Sequence, residues 1–159
     1  MKIIKGNLIT LANAGEFDMI VHGCNCFNAM KSGIAKQIAT AYPAAERADN
    51  KTARGDRYKL GTCTGAVVIK PNDTQWDTIL YVVNAYTQYG TDPDPTVDLF
   101  EYDAFKKILD KLASDHPAKR YGFPKIGCGL AGGDEARILT MIDDFSKTIE
   151  GTVTVVEWG

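Results

Sequence analysis

The chain lacks several features that would assign its class at once. Its 159 residues contain no long apolar run, and the formal net charge is only −2. The first absence argues against a membrane span, and the second gives no indication of nucleic-acid affinity. The opening segment, Met1–Gly6, has too short an apolar core for a signal peptide and resembles a first strand. We therefore expect a cytoplasmic monomer with neither a membrane nor a nucleic-acid partner.

Cysteine is scarce, with four residues at Cys24, Cys26, Cys63 and Cys128. In a cytoplasmic protein these thiols stay reduced. His22 together with Cys24, Cys26 and Cys128 has the atoms for a zinc site, but the spacing matches no common zinc motif. We expect Cys24, Cys26 and Cys128 to be small buried packing residues and the protein to need no metal or other cofactor.

Apolar segments of two kinds alternate along the chain. The predicted strands are apolar on both faces, as in a covered sheet: Ile3–Lys5, Met19–Cys24, Gly65–Ile69, Ile79–Asn84, Tyr121–Ile126 and Thr152–Glu157. The helical patterns cover Ser32–Tyr42, Ala44–Thr52, Tyr102 to the residue before His116, and the segment from Asp134 onward. A polar loop is expected at Gly90–Pro95. The alternation predicts one α/β domain over residues 1–159, a three-layer α/β/α sandwich with about six strands.

A glycine-rich run, Pro124–Asp134, is the most informative segment. It follows an apolar strand and opens a helical pattern, so several backbone N–H groups and the positive end of a helix dipole point at one place. Such a place binds an anion, most often a phosphate, and glycine permits close approach of the backbone. The residues expected to line it are Gly127, Cys128, Gly129, Leu130, Ala131, Gly132 and Gly133.

A second strand–loop–helix unit spans Val21–Ala35. Asn25 interrupts its apolar strand end, where asparagine is a poor strand former, and its amide can grip a sugar diol with both oxygen and nitrogen. Asn84 ends another strand. Ligands of α/β sheets bind beyond the carboxyl ends of the strands, so these residues and the glycine run are expected at one edge.

These segments resemble the macrodomain family, which binds ADP-ribose. The resemblance rests on Lys5–Leu8, Ile20–Cys26, Ser32–Ala35, Leu60–Gly61 and Pro124–Gly133, and it extends over essentially the whole chain. It is nearest to the branch of ADP-ribose-1″-phosphate phosphatases and terminal ADP-ribose glycohydrolases. It implies a macrodomain-like mixed sheet.

The resemblance also implies a role for each part of the site. Asn25 would contact the distal ribose, with Met30, Ser32, Gly33 and Ile34 in the loop around that ribose and the diphosphate. Gly127–Gly133 would hold the diphosphate. The residues that would border the adenine are Asn7, Leu8, Glu157 and Trp158.

The chain departs from the glycohydrolase pattern at two places. No lysine occurs in Val83–Tyr89, where that enzyme has its nucleophile, and Ala131 stands where it has an aspartate. A lysine adduct is therefore not expected, and ADP-ribose-1″-phosphate is the leading substrate, with ADP-ribosyl adducts as a second class. The acid–base candidates are His22 and Asp134.

Four alternatives remain open at this stage. His22 can equally be a structural histidine, and Asp134 can be the N-cap of the last helix. A reader that binds ADP-ribose without chemistry needs the same cleft as an enzyme. The spacing of Gly127, Gly129 and Gly132, with Glu157 on the next strand, also fits a dinucleotide fingerprint, although a dinucleotide fold places that motif at the start of its sheet.

Overall fold

The computed structural model describes residues 1–70, 78–91, 99–129 and 131–158. Leu130 and most of the expected loop Gly90–Pro95 lie outside the described residues. Within them, no helix has the length and apolar character needed to cross a bilayer.

The architecture is a mixed six-stranded sheet with helices on both faces, as the sequence predicts. The strands are β1 Lys2–Gly6, β2 Met19–Cys24, β3 Cys63–Lys70, β4 Thr78–Tyr86, β5 Arg120–Pro124 and β6 Thr152–Trp158. The helices are α1 Leu8–Asn13, α2 Gly33–Ala41, α3 Pro43–Asn50, α4 Tyr102–Asp115 and α5 Glu135–Lys147. The sheet order is β1-β6-β5-β2-β4-β3, and only β3 pairs antiparallel.

Two apolar cores form because the strands are apolar on both faces. One core joins the sheet to α4 and α5 through residues such as Phe105, Phe123 and Ile138. The other joins the opposite face to α1, α2 and α3 through Ile20, Ile38 and Ala45. The three layers of the predicted sandwich are thus present.

Two local features differ from the sequence prediction. Helix α1, Leu8–Asn13, has no counterpart in the prediction because six residues are too few to display a helical period. It begins at Asn7, whose side-chain oxygen accepts hydrogen bonds from Ile9 N–H and Thr10 N–H. Strand β5 ends at Pro124 rather than Ile126, since proline has no N–H to continue the ladder.

Strand order brings the predicted site together. Strands β2 and β5 are adjacent and parallel, so the loops that follow them emerge side by side at the carboxyl edge. On the far side of β5 lie β6 and then β1, whose ends pair Trp158 with Gly6. On the other side of β2 lies β4. The edge therefore presents, in a row, the segment after β1, the end of β6 and the segments after β5, β2 and β4.

Candidate functional site

The loop that joins β5 to α5, residues 125–134, is called the phosphate loop below. Gly127 and Gly132 have positive φ values of 75° and 71°, which favour glycine. A side chain at Gly127 would collide with the Phe100 ring, and a Cβ at Gly133 would lie 2.6 Å from Ile138 Cδ1. At Gly129, by contrast, the space is open. The loop is thus fixed from behind by Phe100 and α5, with Gly129 exposed.

Backbone donors in the phosphate loop are only partly used. Gly133 N–H donates to Gly127 O at 2.8 Å, and Gly132 N–H donates to Gly129 O at 3.0 Å. In the described part of the chain, the N–H groups of Gly127, Gly129 and Ala131 have no acceptor. These donors, next to the amino end of a 13-residue helix, suit an anion.

Ala131 and Cys128 connect this loop to the core. Ala131 is buried, and its carbonyl accepts from Leu99 N–H and Phe100 N–H at 2.9 and 3.2 Å. The thiol of Cys128 lies 3.5 Å from Ile126 O, and partial burial raises its pKa. The Cys128 N–H donates to Lys125 O at 3.3 Å, so of these two residues only Ala131 has a backbone N–H without an acceptor among the described residues.

Asp134 is the N-cap of α5. One of its carboxylate oxygens accepts from Arg137 N–H at 3.0 Å, and its own N–H donates to Tyr102 Oη at 2.9 Å. Arg137 stacks on the Tyr102 ring at 3.7 Å. The residue is exposed at the end of the phosphate loop, so capping and contact with a ligand or water are compatible.

The loop that joins β2 to α2, residues 25–32, is called the ribose loop below. Asn25 shapes it from within, since its side-chain oxygen accepts from Phe27 N–H and its side-chain nitrogen donates to Ala29 O, both at 2.9 Å. The side chain is half-buried, and each end retains capacity for a second hydrogen bond. Asn25 thus combines a structural role with access to the edge.

The other predicted residues of this unit divide into two groups. Ser32 and Gly33 are exposed at the start of α2, where Gly33 has a φ of 56°. Met30 is buried at 4% exposure, and Ile34 packs against the same core. Ser32 and Gly33 are therefore accessible to a ligand, whereas the Met30 side chain faces the protein interior.

His22 and Asn84 lie below the edge, not on it. Both are fully buried on adjacent strands, and His22 Nε2 lies 2.7 Å from Asn84 Oδ1. Asn84 also donates to Ala45 O at 2.9 Å and to Thr64 Oγ1 at 3.2 Å, which fixes its amide orientation. Burial lowers the pKa of His22 to about 4. This geometry favours the structural alternative for His22 and leaves Asn84 no atom facing a ligand.

The segments expected to border adenine lie at the β1–β6 end of the edge. The Leu8 side chain is buried in the core, so only its backbone and the half-buried Asn7 are near the surface. Trp158 is 65% exposed. Lys125 joins this end to the phosphate loop through ion pairs with Glu157 at 2.9 Å and Glu135 at 2.6 Å. The Glu135 contact is the larger cause of the raised Lys125 pKa.

The sequence reasoning missed two polar groups near the edge. Lys59 is buried at 7% exposure beneath the ribose loop, and Thr87 directly follows β4 with 1% exposure. The Thr87 hydroxyl is the one buried side-chain polar atom of the described residues without a hydrogen-bond partner. No sequence signal marked either residue, since a lone lysine or threonine between elements is ordinarily exposed.

The metal and dinucleotide alternatives find no support in this geometry. Across the described ranges, no three side chains of His, Cys, Asp or Glu come together as a metal site. Glu157, the proposed ribose acid of a dinucleotide fold, is paired with Lys125. The glycine loop follows the fifth strand of the chain, whereas a dinucleotide fold carries it after the first.

A covered, mostly parallel sheet places the protein in the α/β class, whose members bind ligands at this edge. A sequence model of the macro domain family matches residues 21–142. A 17.5 kDa protein from the tk–vs intergenic region of Enterobacteria phage T4 is 33% identical, over 99% of this chain and 96% of that one. The chain belongs to the macro domain family.

Solved structures share the fold of this chain. A Bacteroides thetaiotaomicron protein has a TM-score of 0.72 at 25% identity, with 99% of this chain and 98% of that chain covered. Thermosipho africanus DarTG, solved in complex with ADP-ribose, has a TM-score of 0.71 at 10% identity. That match covers 99% of this chain and 42% of DarTG. At such low identity the second likeness shows the fold alone.

Proposed function

We propose that the protein binds ADP-ribose across the carboxyl edge of its sheet. The order of the segments along that edge carries the proposal. Asn7 follows β1, and Trp158 is the last residue of β6. The phosphate loop follows β5, and the ribose loop follows β2. ADP-ribose has the same linear order: adenine, diphosphate, distal ribose. Three strand spacings of about 4.8 Å separate β1 from β2, which suits an extended nucleotide.

The same proposal assigns a partner to each part of the ligand. The diphosphate lies on the N–H groups of Gly127 and Gly129, which have no acceptor among the described residues, and Asn25 holds the distal ribose. The complex of DarTG with ADP-ribose supports the proposal, because part of that protein has the same fold as this chain. Isothermal titration calorimetry with ADP-ribose tests it, and absence of binding would overturn it.

We further propose hydrolysis at the distal ribose, with ADP-ribose-1″-phosphate as the leading substrate and ADP-ribosyl adducts as a second class. Water adds across the phosphoester bond, and the products are ADP-ribose and inorganic phosphate. Asp134 is the group that accepts the proton of the water, because it is exposed at the end of the phosphate loop. The amino end of α5 favours its ionised form, which suits a base. His22 is enclosed and its role is limited to support.

The segment after β4 favours direct attack by water on the substrate rather than a covalent adduct with the enzyme. It contains Thr87 and Gln88 and no lysine, so a Schiff base with the sugar has no nucleophile there. Phosphate release by the parent protein tests turnover. Asp134→Asn keeps the cap acceptor and removes the base, so we expect about a 10²-fold or greater loss of rate with ADP-ribose affinity retained.

A non-catalytic reader is the second candidate function. Two observations favour it: His22 is sealed in the core, and Asp134 is engaged as a helix cap. A reader would bind ADP-ribose tightly and release no phosphate from ADP-ribose-1″-phosphate. The same pair of assays therefore separates the two functions.

A further inference from the structure

A buried lysine lies directly behind the ribose loop. Lys59 ends a short 3₁₀ turn, Arg57–Lys59, and only 7% of its surface is exposed. Its ammonium donates to Cys26 O at 3.1 Å and to Asn28 Oδ1 at 2.7 Å. In the part of the chain that the structure describes, no carboxylate lies within 4.0 Å of this ammonium. Its surroundings include the Tyr86 ring, 4.9 Å away, and the hydroxyl of that ring donates to the buried carboxylate of Asp49 at 2.8 Å.

Burial of an ammonium without a paired carboxylate is costly. A flexible apolar side chain would fill the same space without that cost. The contribution of Lys59 is therefore its pair of hydrogen bonds, which an apolar side chain of the same size could not make. Cys26 and Asn28, both within the ribose loop, supply the two acceptors, so these hydrogen bonds stabilise the conformation of the ribose loop.

Asn28 is the residue through which Lys59 acts on the loop. It has a φ of 54°, and among the described residues it is the one non-glycine with positive φ. Thr52 supports it as well, because Asn28 Nδ2 donates to Thr52 O at 2.8 Å. The Thr52 hydroxyl, which donates to Asp49 O at 2.6 Å, lies 3.2 Å from Asn28 Oδ1. Lys59 and Thr52 thus hold the loop in a backbone conformation that asparagine adopts only at some cost.

The held conformation is the one that presents Asn25. Asn25 donates to Ala29 O and accepts from Phe27 N–H, so its side chain is oriented by the same turn that contains Asn28. Gly55 N–H donates to Cys26 O at 2.7 Å, which adds a further support to the turn. No hydrogen bond of Lys59 within the described residues reaches the phosphate loop.

We propose that Lys59 is a positioning residue that fixes the ribose loop and thereby sets the preference for ADP-ribose over ADP. This rests on the proposed ADP-ribose binding. ADP lacks the distal ribose but keeps the adenine and the diphosphate. A change that loosens only the ribose loop therefore weakens binding of ADP-ribose and spares binding of ADP.

Lys59→Met tests this, because methionine keeps the length and removes the charge and the donors. Calorimetry with both ligands is expected to show about a tenfold or greater loss for ADP-ribose, as for loss of a charged hydrogen bond, and less than about a twofold change for ADP. Lys59→Arg keeps the charge and donors and is expected to restore part of the preference. The matched control is Lys51→Met at an exposed lysine, which should change neither affinity.

Asn28→Gly gives the same test if Lys59→Met does not fold. Glycine accepts the φ of 54° without strain but removes the acceptor of Lys59, so the same selective loss is expected. Equal losses for both ligands, or an unchanged ADP-ribose affinity in a folded variant, would overturn the positioning role. If the parent protein binds neither ligand, the proposed ADP-ribose binding is wrong, and the positioning role of Lys59 is wrong with it.

Discussion

His22 and Asn84 form a hydrogen bond of 2.7 Å inside the sheet, at paired positions of β2 and β4. Because Asn84 already donates to Ala45 O and Thr64 Oγ1, its oxygen faces His22, and His22 Nε2 must carry the proton. The pair therefore ties β2, β4 and α3 together beneath the site. A histidine that stays neutral and sealed in this way makes the fold sensitive to acid.

The first prediction is a loss of stability on acidification. Burial lowers the pKa of His22 from 6.5 to about 4, so the unfolded chain binds a proton between those values that the folded protein does not. Stability is complete above about pH 6.5, falls as pH drops towards 4, and levels off below that value for this residue. Over that window the loss is about 3 kcal/mol. Urea titrations at pH 7, 5.5 and 4.5 measure it.

His22→Gln is the control for this prediction. Glutamine offers an N–H to Asn84 without a titrating ring, so its stability should change much less over the same pH window. An equal pH dependence in the two proteins would mean that other groups cause the acid sensitivity.

The sequence predicted where the glycine loop lies in the fold, which depends on the order of strands and helices. The spacing of Gly127, Gly129 and Gly132 predicts a loop between a strand and a helix. The alternation of strands and helices along the chain predicts that this loop lies at the carboxyl edge of the sheet. The sequence did not predict which side chains at strand ends turn inward. His22 and Asn25 are three positions apart, yet one is buried and the other half-buried, because strand β2 ends between them at Cys24. Such a boundary depends on pairing with neighbouring strands, which a local pattern does not contain.

Lys59 illustrates a second limit of sequence reasoning. Its neighbours Arg57 and Tyr58 are exposed, so the local sequence resembles a solvated turn. The acceptors of its ammonium are 33 and 31 residues away in the chain. Helix α1 shows a different limit, because its six residues are too few to display a helical period even though Asn7 is a favoured N-cap residue.

The second prediction concerns Gly129, where a side chain would meet nothing in the free protein. Gly129→Val should leave the melting temperature nearly unchanged but place a branched side chain where the diphosphate is proposed to lie. We expect at least about a tenfold loss of ADP-ribose affinity by calorimetry, equivalent to about 1.4 kcal/mol. Ala118→Val, at an exposed site before β5, is the matched control. Full affinity in Gly129→Val would place the diphosphate elsewhere.

The third prediction concerns Asn25. Asn25→Ala removes hydrogen bonds proposed for the distal ribose and also frees Phe27 N–H and Ala29 O. About 1–3 kcal/mol of ADP-ribose binding should be lost, and any turnover should fall with it. Asn25→Asp keeps the acceptor for Phe27 and loses the donor to Ala29, so it should lie between Asn25→Ala and the parent. A variant that binds and turns over like the parent would remove Asn25 from the site.

The fourth prediction concerns Thr87, whose buried hydroxyl has no partner in the described structure. Its N–H donates to Cys24 O at 3.3 Å, and a Cβ built on Gly23 would lie 2.8 Å from its hydroxyl oxygen. The hydroxyl thus lies over the end of β2, close to the ribose loop. A buried hydroxyl without a partner costs about 1–3 kcal/mol, so Thr87→Val, which has nearly the same shape, should raise the free energy of unfolding by about 1 kcal/mol.

If ligand binding supplies the missing partner, stability and affinity will change in opposite directions. Thr87→Val would then be more stable yet bind ADP-ribose less tightly. Thr87→Ser would be less stable through its lost methyl group yet retain affinity. Chemical denaturation and calorimetry on both variants measure the two quantities separately. A rise in stability with unchanged affinity in Thr87→Val would show that the hydroxyl is a local defect of packing, and a fall in stability would show that it has a partner in the folded protein after all.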